Sequence, residues 1–488
     1  MAKVSPVPIL PEAEAAALSA EDHARLAQIA DQLVADEPAL TSSLGFGPHV
    51  RQGIGPGPSV LIGDQGEIPL FQPQKVSWLD HRMALLSNPE DVVIVRSRDR
   101  DFESYLAGTL GLRDLRFLAP SMRTGDPVCV QALSWSALGD QLELTASRRD
   151  TLTLQSYLTT GHVWRLARHL GEKTGTRAYV AGPSPRLSRR ANDKLWFTRL
   201  AQNVLGPGAT PPTLTAYGPA AAAGLVAFFS KKAENVVVKV PDSAGSAGNL
   251  KFLSASLQGR TLRDIRAFLT TCLRARGWQG RYPILIGVWD KAVTHSPSVQ
   301  FWIPRAKSGP PLSEGVFEQQ VYGAEGTFVG GARSALPAQM QHRLIHEATK
   351  IATVFQQIGY FGRCSMDAVI CNGADGRPTV HWIECNARWG GMSIPMSVAK
   401  RFYDGTLPAG FLVVQQEYPD APALSTRKAL SRLDGLLFRA DGPREGLILL
   451  SPPRGNQGVF VNLLALAGSQ TKARSLITQA TERLAPRR

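Results

Sequence analysis

The stretch that decides the fold is Met366–Gly391, which reads MDAVICNGADGRPTVHWIECNARWGG. Two apolar runs flank Asp375-Gly376, a dipeptide that favours a two-residue hairpin turn. In a hairpin with that turn, Asp367 and Glu384 are equally far from the turn and stand opposite each other. Asn386 lies two residues beyond Glu384 and therefore projects from the same strand face. The stretch predicts an antiparallel strand pair that carries oxygen ligands on one face.

Two carboxylates that face each other across a strand pair repel, unless a cation lies between them. Oxygen ligands favour magnesium or manganese over zinc. We therefore interpret Asp367, Glu384 and Asn386 as metal ligands, and we expect removal of Glu384 to leave the metal-free protein at least as stable. The alternative is that one carboxylate caps a loop outside the sheet, because Pro378 cannot donate to the ladder and shifts the turn.

A second signal is a β-branched run, Val236 to Val238, that ends in Lys239 and is followed by the small-residue loop 242–248. A lysine beside such a loop can place an ammonium and several backbone N–H groups around phosphates. The loop is not a Walker A motif, because G-x-x-x-x-G-K-[ST] is absent. A glycine loop after a strand is by itself weak evidence.

Two further candidates are ambiguous when taken alone. Lys194 opens a helical segment, where an ordinary surface lysine is the simpler interpretation. The apolar run 284–289 ends in Asp290, which could accept hydrogen bonds from ribose hydroxyls, although a core strand explains the run equally well. His342 and His346 lie four apart on one helix face, but without the H-E-x-x-H order we interpret them as surface residues.

Secondary-structure patterns predict an α/β organisation. Helical spacing favours helices at 12–36, 154–170, 194–204 and 261–276, and β-branched runs favour strands at 92–95, 178–181, 235–240 and 284–303. Gly53, Gly55 and Gly57 form a G-x-G-x-G run that no helical pattern follows, so we interpret it as a loop rather than a dinucleotide fingerprint. With 488 residues, the chain is long enough for two or three domains.

Composition bounds the class of protein. The net charge is +14, and residues 426–488 hold eleven Lys and Arg against four Asp and Glu. Nucleic-acid binding is disfavoured because no zinc-finger or RNP pattern accompanies this charge. A solvated basic face or a wall around an anionic ligand is the better interpretation.

Cysteine usage and hydropathy favour a cytoplasmic protein. The five cysteines are scattered without a C-x-x-C pair, which disfavours a disulfide framework. Pro6, Pro8 and Pro11 interrupt any signal-peptide core. The longest apolar run, 220–229, is shorter than the roughly 20 residues that a membrane span needs.

Taken in order, Lys194, Lys239 with its loop, the run to Asp290, Asp367 and the E-x-N-x-R motif that begins at Glu384 resemble the ATP-grasp superfamily. The resemblance covers about 190–425. The long N-terminal region and the short basic C-terminal segment look like the pheganomycin-type peptide ligases. The resemblance implies a multidomain α/β and α+β protein: an N-terminal helix and α/β pre-ATP-grasp domain at 1–189, an ATP-grasp fold of two α+β subdomains at 190–425, and a small C-terminal domain at 426–488.

The resemblance also implies roles for single residues. ATP would be bound by Lys194, Lys239, Ser243, Gly245, Ser246, Gly248, Val288 and Asp290. Magnesium, or manganese, would be bound by Asp367, Glu384 and Asn386. Arg388 would stabilise an acyl phosphate and the tetrahedral intermediate. Two departures from the family pattern are the modest glycine content of the loop and the aspartate at 290, where glutamate is common.

The implied activity is the joining of a carboxylate, from an amino acid or an N-capped amino acid, to the amine of an amino acid or peptide. The products would be an amide, ADP and phosphate. Two rival functions are a nucleotide-binding regulator without ligase activity and a phosphotransferase. An intact set of metal ligands together with Arg388 argues against the regulator, because a binding protein has little need of them.

Overall fold

The computed structural model describes residues 16–41, 46–70, 77–121, 125–134, 136–243, 248–322, 326–373, 376–454 and 458–485. Its strands, numbered in chain order, are β1 Val50–Gln52, β2 Ser59–Ile62, β3 Val92–Ile94, β4 Arg116–Leu118, β5 Thr151–Ser156, β6 Arg177–Val180, β7 Thr213–Ala216, β8 Asn235–Lys239, β9 Asn249–Leu253, β10 Ile284–Val288, β11 Val293–His295, β12 Pro297–Ile303, β13 Leu312–Tyr322, β14 Thr327–Arg333, β15 Gly362–Asn372, β16 Pro378–Asn386, β17 Gly410–Tyr418, β18 Gly446–Leu449 and β19 Val459–Ala467.

The α-helices are α1 Ala20–Asp36, α2 Arg100–Gly108, α3 Val128–Leu133, α4 Ala137–Ala146, α5 Gly161–Thr174, α6 Pro185–Ala191, α7 Lys194–Leu205, α8 Pro219–Ser230, α9 Leu262–Ala275, α10 Ala338–Gln357, α11 Ser393–Phe402, α12 Thr426–Leu433 and α13 Gln470–Leu484. A long 3-10 helix, Ser77–Leu86, lies between β2 and β3. None of the helices in the described ranges is both long and apolar enough to cross a bilayer.

The N-terminal domain is built on a six-stranded parallel sheet in the order β1-β6-β5-β2-β3-β4. Parallel strands need crossover connections, and α2 to α5 supply them between β3 and β6. Its strands are short and apolar, as expected for a sheet that is covered on both faces; β3, for example, is buried along its whole length. This architecture confirms the α/β domain that the sequence pattern predicts.

Most of the predicted elements are present with shifted ends. Helices α7 and α9 and strands β3, β6 and β8 match the predictions closely. The predicted helix at 154–170 is wrong at its start, because residues 151–156 form strand β5 and the helix begins only at Gly161. Helix α1 begins at Ala20, where Ser19 caps it by accepting from the Asp22 N–H. Residues 53–57 form a loop, as predicted.

Two further sheets follow along the chain. The smaller is antiparallel in the order β7-β10-β8-β9, and α8 and α9 pack together on it. The larger has nine antiparallel strands, in the order β11-β15-β12-β13-β14-β17-β19-β18 with β16 paired to β15. Helix α10 lies on this sheet and shares its apolar core with α1. Two α+β units, each with its own antiparallel sheet, agree with the fold class predicted for the central region.

The C-terminal segment is part of the large sheet. Strand β19 pairs with β17 from Gly410–Ala467 to Tyr418–Val459 and with β18 on its other side. The same segment contacts the N-terminal domain: Asp99 accepts from Thr426 Oγ1 at 2.8 Å and from Arg454 Nη2 at 3.2 Å. The C-terminal segment is therefore in direct contact with the N-terminal domain through Asp99. The domain boundary at 426 stays a prediction.

Candidate active site

The β15–β16 hairpin presents the predicted carboxylates. Asp367 pairs directly with Glu384, as predicted. The predicted two-residue turn is wrong, because Asn372 pairs with Pro378 and five residues lie between the strands; Asp375 itself lies outside the described residues. A register shift after Asp367 leaves Ile383 without a partner on β15. This β-bulge, rather than the turn, sets Glu384 opposite Asp367.

Asp367 accepts hydrogen bonds from neutral side chains, and one of them, from Gln319, lowers its pKa. Ser298 Oγ donates to its Oδ1 at 2.6 Å, and Asn386 Nδ2 donates to its Oδ2 at 2.9 Å. Burial and the adjacent charge of Glu384 raise the pKa of Asp367 to about 6. A carboxylate that is difficult to ionise beside a second carboxylate gains from a cation between them. The oxygens of Asp367, Glu384 and Asn386 fit a hard divalent cation.

Glu384 has a cationic partner of its own. Lys194 Nζ lies 2.8 Å from Glu384 Oε2 and also donates to the Ser243 carbonyl. Burial opposes ionisation of Glu384, but the charges of Lys194, Arg388 and Lys239 outweigh it and lower the pKa of this carboxyl. Lys194 is only 3 % exposed, so the interpretation of it as an ordinary surface lysine is wrong.

Lys239 ends β8 close to the same charges. Burial, together with the neighbouring charge of Lys194, lowers the pKa of Lys239 to about 8, while the charges of Glu384 and Asp290 oppose the shift. After the strand the chain packs tightly, since a Cβ at position 248 would lie 2.1 Å from Ser243 Oγ. Gly248 is therefore required by close approach. Gly245 and Ser246 lie outside the described residues.

Val288 and Asp290, which were predicted to bind ATP, already have contacts within the protein. The Val288 N–H donates to the Pro212 carbonyl at 3.0 Å, so this donor is not available to a base. Asp290 Oδ2 lies 3.0 Å from His381 Nδ1. With Cys371, these side chains form a group whose potential ligand atoms all lie within 4.8 Å of one another. The ribose contact proposed for Asp290 stays a prediction.

Arg388 is oriented by an asparagine that sequence reasoning missed. Asn192 Oδ1 accepts from Arg388 Nη1 and from the Ala387 N–H, the latter at 3.0 Å. The other guanidinium arm donates to Asn386 Oδ1. Asn192 is held in turn by its Nδ2, which donates to the Ser188 carbonyl at 2.8 Å. The feature of the sequence that could have pointed to Asn192 is its position two residues before Lys194.

A cavity of about 310 Å³ opens next to this group. Asp367, Glu384, Asn386 and Arg388 line one end of it. The other walls come from the N-terminal domain and from the strands as far as β19, and include Gln65, Trp78, Arg82, Tyr157, Gln300, Gln319, Phe328, Gln415, Glu417 and Phe460. The structure thus brings the predicted metal ligands and Arg388 to one wall, with Lys194 in contact behind Glu384.

The polar walls of the cavity were not predicted. Ser298, which binds Asp367, accepts in turn from Gln300 Nε2 at 2.9 Å. Both side chains belong to β12, a strand buried along its whole length, where no motif marks them. Only the pairing of β12 with β15 brings Ser298 opposite Asp367. The pairing of β12 with β15 joins residues that are far apart in the sequence, so the contact between Ser298 and Asp367 could not be predicted from local patterns.

Comparison with known proteins agrees with this geometry. Residues 80–172 match the family model of the pre-ATP-grasp domain. No curated protein sequence matches the chain. Among solved structures, an N5-carboxyaminoimidazole ribonucleotide synthetase in complex with ADP is similar with a TM-score of 0.52 at 12% identity, covering 88% of this chain and 97% of that one.

Two carboxylase structures are also similar. Biotin carboxylase from Campylobacter jejuni has a TM-score of 0.53 at 16% identity, over 87% of this chain and 91% of that one. The biotin carboxylase domain of Hydrogenobacter thermophilus 2-oxoglutarate carboxylase has a TM-score of 0.50 at 13% identity, over 87% and 89%. The chain therefore has a pre-ATP-grasp domain followed by the ATP-grasp fold.

Proposed function

We propose that the protein is an ATP- and magnesium-dependent ligase that joins a carboxylate to an amine and releases ADP and phosphate. One observation carries the proposal. Asp367 on β15 faces Glu384 on β16. Both carboxylates line the cavity together with Asn386 and Arg388, which follow Glu384 in the sequence. A nucleotide-binding protein without catalysis has no use for an arginine that is fixed beside a pair of partly buried carboxylates.

The donors at this site suit magnesium. Asp367, Glu384 and Asn386 can offer oxygen ligands, and burial with the charge of Glu384 raises the pKa of Asp367 to about 6 even though the charge of Arg388 opposes the shift. Magnesium supplies charge neutralisation between phosphate oxygens when it is bound. The solved relatives include complexes with ADP and with MgADP and bicarbonate, which agrees with this use of the fold.

Lys194 and Lys239 are the proposed phosphate-binding cations. Lys194 is buried and hydrogen-bonded to Ser243 at the start of the small-residue loop, so it links that loop to Glu384. Lys239 loses part of its charge above about pH 8 in the nucleotide-free protein. Phosphates favour the charged ammonium and would restore it. Ser243 and Gly248 are proposed to bind the phosphates next to these lysines.

Arg388 is the proposed catalytic residue. Asn192 and Asn386 hold its guanidinium at the cavity wall, where an acid would be activated. A carboxylate oxygen attacks the γ-phosphorus, ADP leaves, and the amine displaces phosphate from the resulting acyl phosphate. Negative charge grows on the acyl oxygen when the amine attacks, and a fixed cation there stabilises it without reorganisation.

The cavity is large enough for more than a small inorganic acid. Its volume of about 310 Å³ lies at the lower end of the range of roughly 300–1,000 Å³ that is usual for small-molecule sites. Its glutamine-rich walls offer both donors and acceptors to amide and amine groups. We therefore propose an amino acid or N-capped amino acid as the acid and an amino acid or peptide as the amine, in cytoplasmic peptide biosynthesis of the pheganomycin type.

The test is product analysis. The protein is incubated with ATP, MgCl₂ and pooled amino acids, N-acetyl amino acids and dipeptides, and condensation products are sought by mass spectrometry. Formation of an amide with ADP, together with transfer of ¹⁸O from labelled carboxylate into phosphate, supports the proposal. AMP and pyrophosphate would contradict it. A stable phosphorylated product would indicate a phosphotransferase, and nucleotide binding without turnover would indicate a regulator.

Bicarbonate is included as a separate acid, because one similar structure contains it. A carbamate product formed from bicarbonate alone would contradict the proposed substrate class and leave the ADP-forming chemistry intact.

A further inference from the structure

A buried arginine of the N-terminal domain lines the cavity and is not used by the proposed chemistry. Arg82 lies in the 3-10 helix Ser77–Leu86 and is 3 % exposed. Its Nη1 donates to Gln415 Oε1 at 3.0 Å, and its Nη2 lies 3.4 Å from Gln65 Oε1 and 3.4 Å from the Tyr157 hydroxyl. All three acceptors are neutral.

Arg82 has no carboxylate partner in the described parts of the chain. Asp80 is close in sequence, but its Oδ2 accepts from the Arg96 N–H, and burial raises its pKa well above its ordinary range. The charge of Arg82 acts on Asp80 from a distance, but no hydrogen bond joins the two side chains in the described chain, so Asp80 leaves the Arg82 guanidinium without a direct anionic partner. Burial of an unpaired charge is costly, so a cation kept in this state calls for an anion from outside the protein.

Two other cations whose side chains have little exposed surface do have carboxylate partners. Arg96 pairs with Asp64 at 2.6 Å, and Lys194 pairs with Glu384 at 2.8 Å. The contrast shows that this fold has carboxylates to pair with a buried cation where pairing serves stability. Arg82 lacks one at a position where its side chain faces a cavity.

Unsatisfied donors cluster around Arg82. Its Nε, the indole Nε1 of Trp78 and Nε2 of Gln65 are buried, and none has a hydrogen-bond partner among the described residues. All three side chains line the cavity. Asp80 Oδ1 and both ring nitrogens of His81, on the same 3-10 helix, also have no partner, but neither residue lines this cavity. Buried N–H groups are normally satisfied, so three unsatisfied donors on cavity-lining side chains indicate a missing acceptor with several oxygens.

This cluster is remote from the metal ligands. Arg82 binds Gln415 on β17, whereas Asp367 lies on β15, and three strands separate them in the order β15-β12-β13-β14-β17. Four strand spacings correspond to roughly 19 Å along the sheet. The acceptor that Arg82 binds is therefore not the carboxylate activated beside Arg388.

We propose that Arg82, with Trp78 and Gln65, binds a free carboxylate at the remote end of a substrate, so that the cavity selects substrates with a second carboxylate. An arginine fork matches a carboxylate in shape and charge. The inference rests on the proposed ligase function for the identity of the substrate. The carboxylate belongs either to the C-terminus of the amine substrate or to a second acidic group of the acid.

The experiment compares matched free-acid and carboxamide probes. Thermal shifts are measured with ADP and MgCl₂ present, using a dipeptide pool against its C-terminally amidated counterpart, and N-acetylglutamate against N-acetylglutamine. The first pair reports on the amine substrate and the second on the acid. In the wild-type protein, at least one free acid should bind at least tenfold more tightly than its amide, and Arg82→Met should abolish the difference. Equal binding of free acids and amides by the wild-type protein, or a difference that survives in Arg82→Met, would overturn the proposal.

Two controls separate recognition from folding. Arg82→Lys should restore part of the preference because it restores the charge. Arg401 donates to the Leu85 and Leu86 carbonyls at the end of the same 3-10 helix but does not line the cavity. Arg401→Met should therefore lower the melting temperature and keep the preference for free acids. Without ligand, Arg82→Met should melt at the wild-type temperature or higher.

The assay also separates this proposal from the ligase function. A preference for free acids that depends on Arg82, without any ADP formation, would support the carboxylate site and contradict the ligase. Amide and ADP formation at equal rates from both pools would support the ligase and contradict the carboxylate site.

Discussion

Lys194 and Glu384 form an ion pair of 2.8 Å that joins the start of helix α7 to strand β16. Because of this pair, the two facing carboxylates are not equivalent in the metal-free protein. Glu384 is balanced by a buried lysine and has a lowered pKa, whereas Asp367 is bound only by neutral donors and has a pKa raised to about 6. Neutralising one or the other should have opposite effects on stability.

Asp367→Asn should remove the unbalanced charge. We expect the metal-free protein to be as stable as wild type or more stable at pH 7, by roughly 1–2 kcal/mol, because each unit of pKa shift is worth about 1.4 kcal/mol. The effect should disappear below pH 4, where Asp367 is protonated in both the folded and the unfolded state. ADP formation should fall at least a hundredfold. Denaturant titration at both pH values checks the first point, and a coupled ADP assay checks the second.

Glu384→Ala should destabilise the metal-free protein. The sequence alone suggested relief of repulsion, but the structure shows that the substitution leaves Lys194 buried without its partner. We expect a loss of about 2–3 kcal/mol, below the roughly 3–5 kcal/mol for breaking a fully buried ion pair, because the Glu384 side chain is 21 % exposed. The double variant Glu384→Ala with Lys194→Met should recover part of the loss. A single variant as stable as wild type would show that the pair contributes nothing.

Lys239 should make nucleotide binding depend on pH. Burial and the charge of Lys194 lower its pKa to about 8, so above that pH the nucleotide-free protein holds Lys239 mostly neutral. Phosphates favour the charged form, so binding takes up a proton above pH 8, and ADP affinity should fall between pH 8 and 9.5. Calorimetry in two buffers of different ionisation enthalpy measures the uptake. Lys239→Met should bind ADP more weakly and show no uptake; uptake that persists in this variant assigns the proton to another group.

Asn192→Ala should separate positioning of Arg388 from nucleotide binding. Loss of the acceptor for one guanidinium arm leaves Arg388 free to rotate, and a small displacement of a catalytic group is costly. We expect kcat to fall about tenfold to a hundredfold, while the dissociation constant of ADP stays within twofold of wild type. Arg388→Ala is the reference, and Asn192→Ala should have no further effect in that background. Additive losses would contradict the positioning role.

The C-terminal segment should be probed by point substitution rather than deletion. Strand β19 lies between β17 and β18, so its removal opens the large sheet and exposes an apolar edge. Phe460 on β19 lines the cavity and packs against Trp78 in a tilted arrangement, with ring centroids 5.8 Å apart and an interplanar angle of 57°. Phe460→Ala should raise the KM for the acid or the amine and leave ADP affinity unchanged. A weaker affinity for ADP would instead assign this strand to the nucleotide cleft.

The sequence predicted the pairing of Asp367 with Glu384 for a reason that is only partly right. The turn is longer than Asp375-Gly376 allows, and without the bulge at Ile383 the residue opposite Asp367 would be Ile383 itself. The longer turn shifts the pairing by one residue, and the bulge shifts it back by one residue, so the two deviations from the prediction cancel. Turn length and bulges depend on what the strands pack against, so local sequence could not supply either of them.

Motif-bearing residues were predictable, whereas the rest of the cavity was not. Lys194 and Arg388 belong to the ordered set of motifs that resembles the ATP-grasp superfamily, and the sequence alone contains these motifs. Arg82 and Gln415 meet only because the N-terminal domain packs on the large sheet. The segment around Arg82 has no helical or strand periodicity, since it forms a 3-10 helix buried along almost its whole length.

The small sheet contributes none of the cavity-lining residues in the described chain, although it carries Lys239 and Val288. Lys239, which we propose as a phosphate ligand, and Arg82, which we propose as a substrate ligand, are thus encoded in different stretches of the sequence. Substitutions at 65–82 or 415–460 can alter which molecule is accepted while the energy source stays the same. A gene with this layout can diversify its products by local mutation, without rebuilding its catalytic machinery each time.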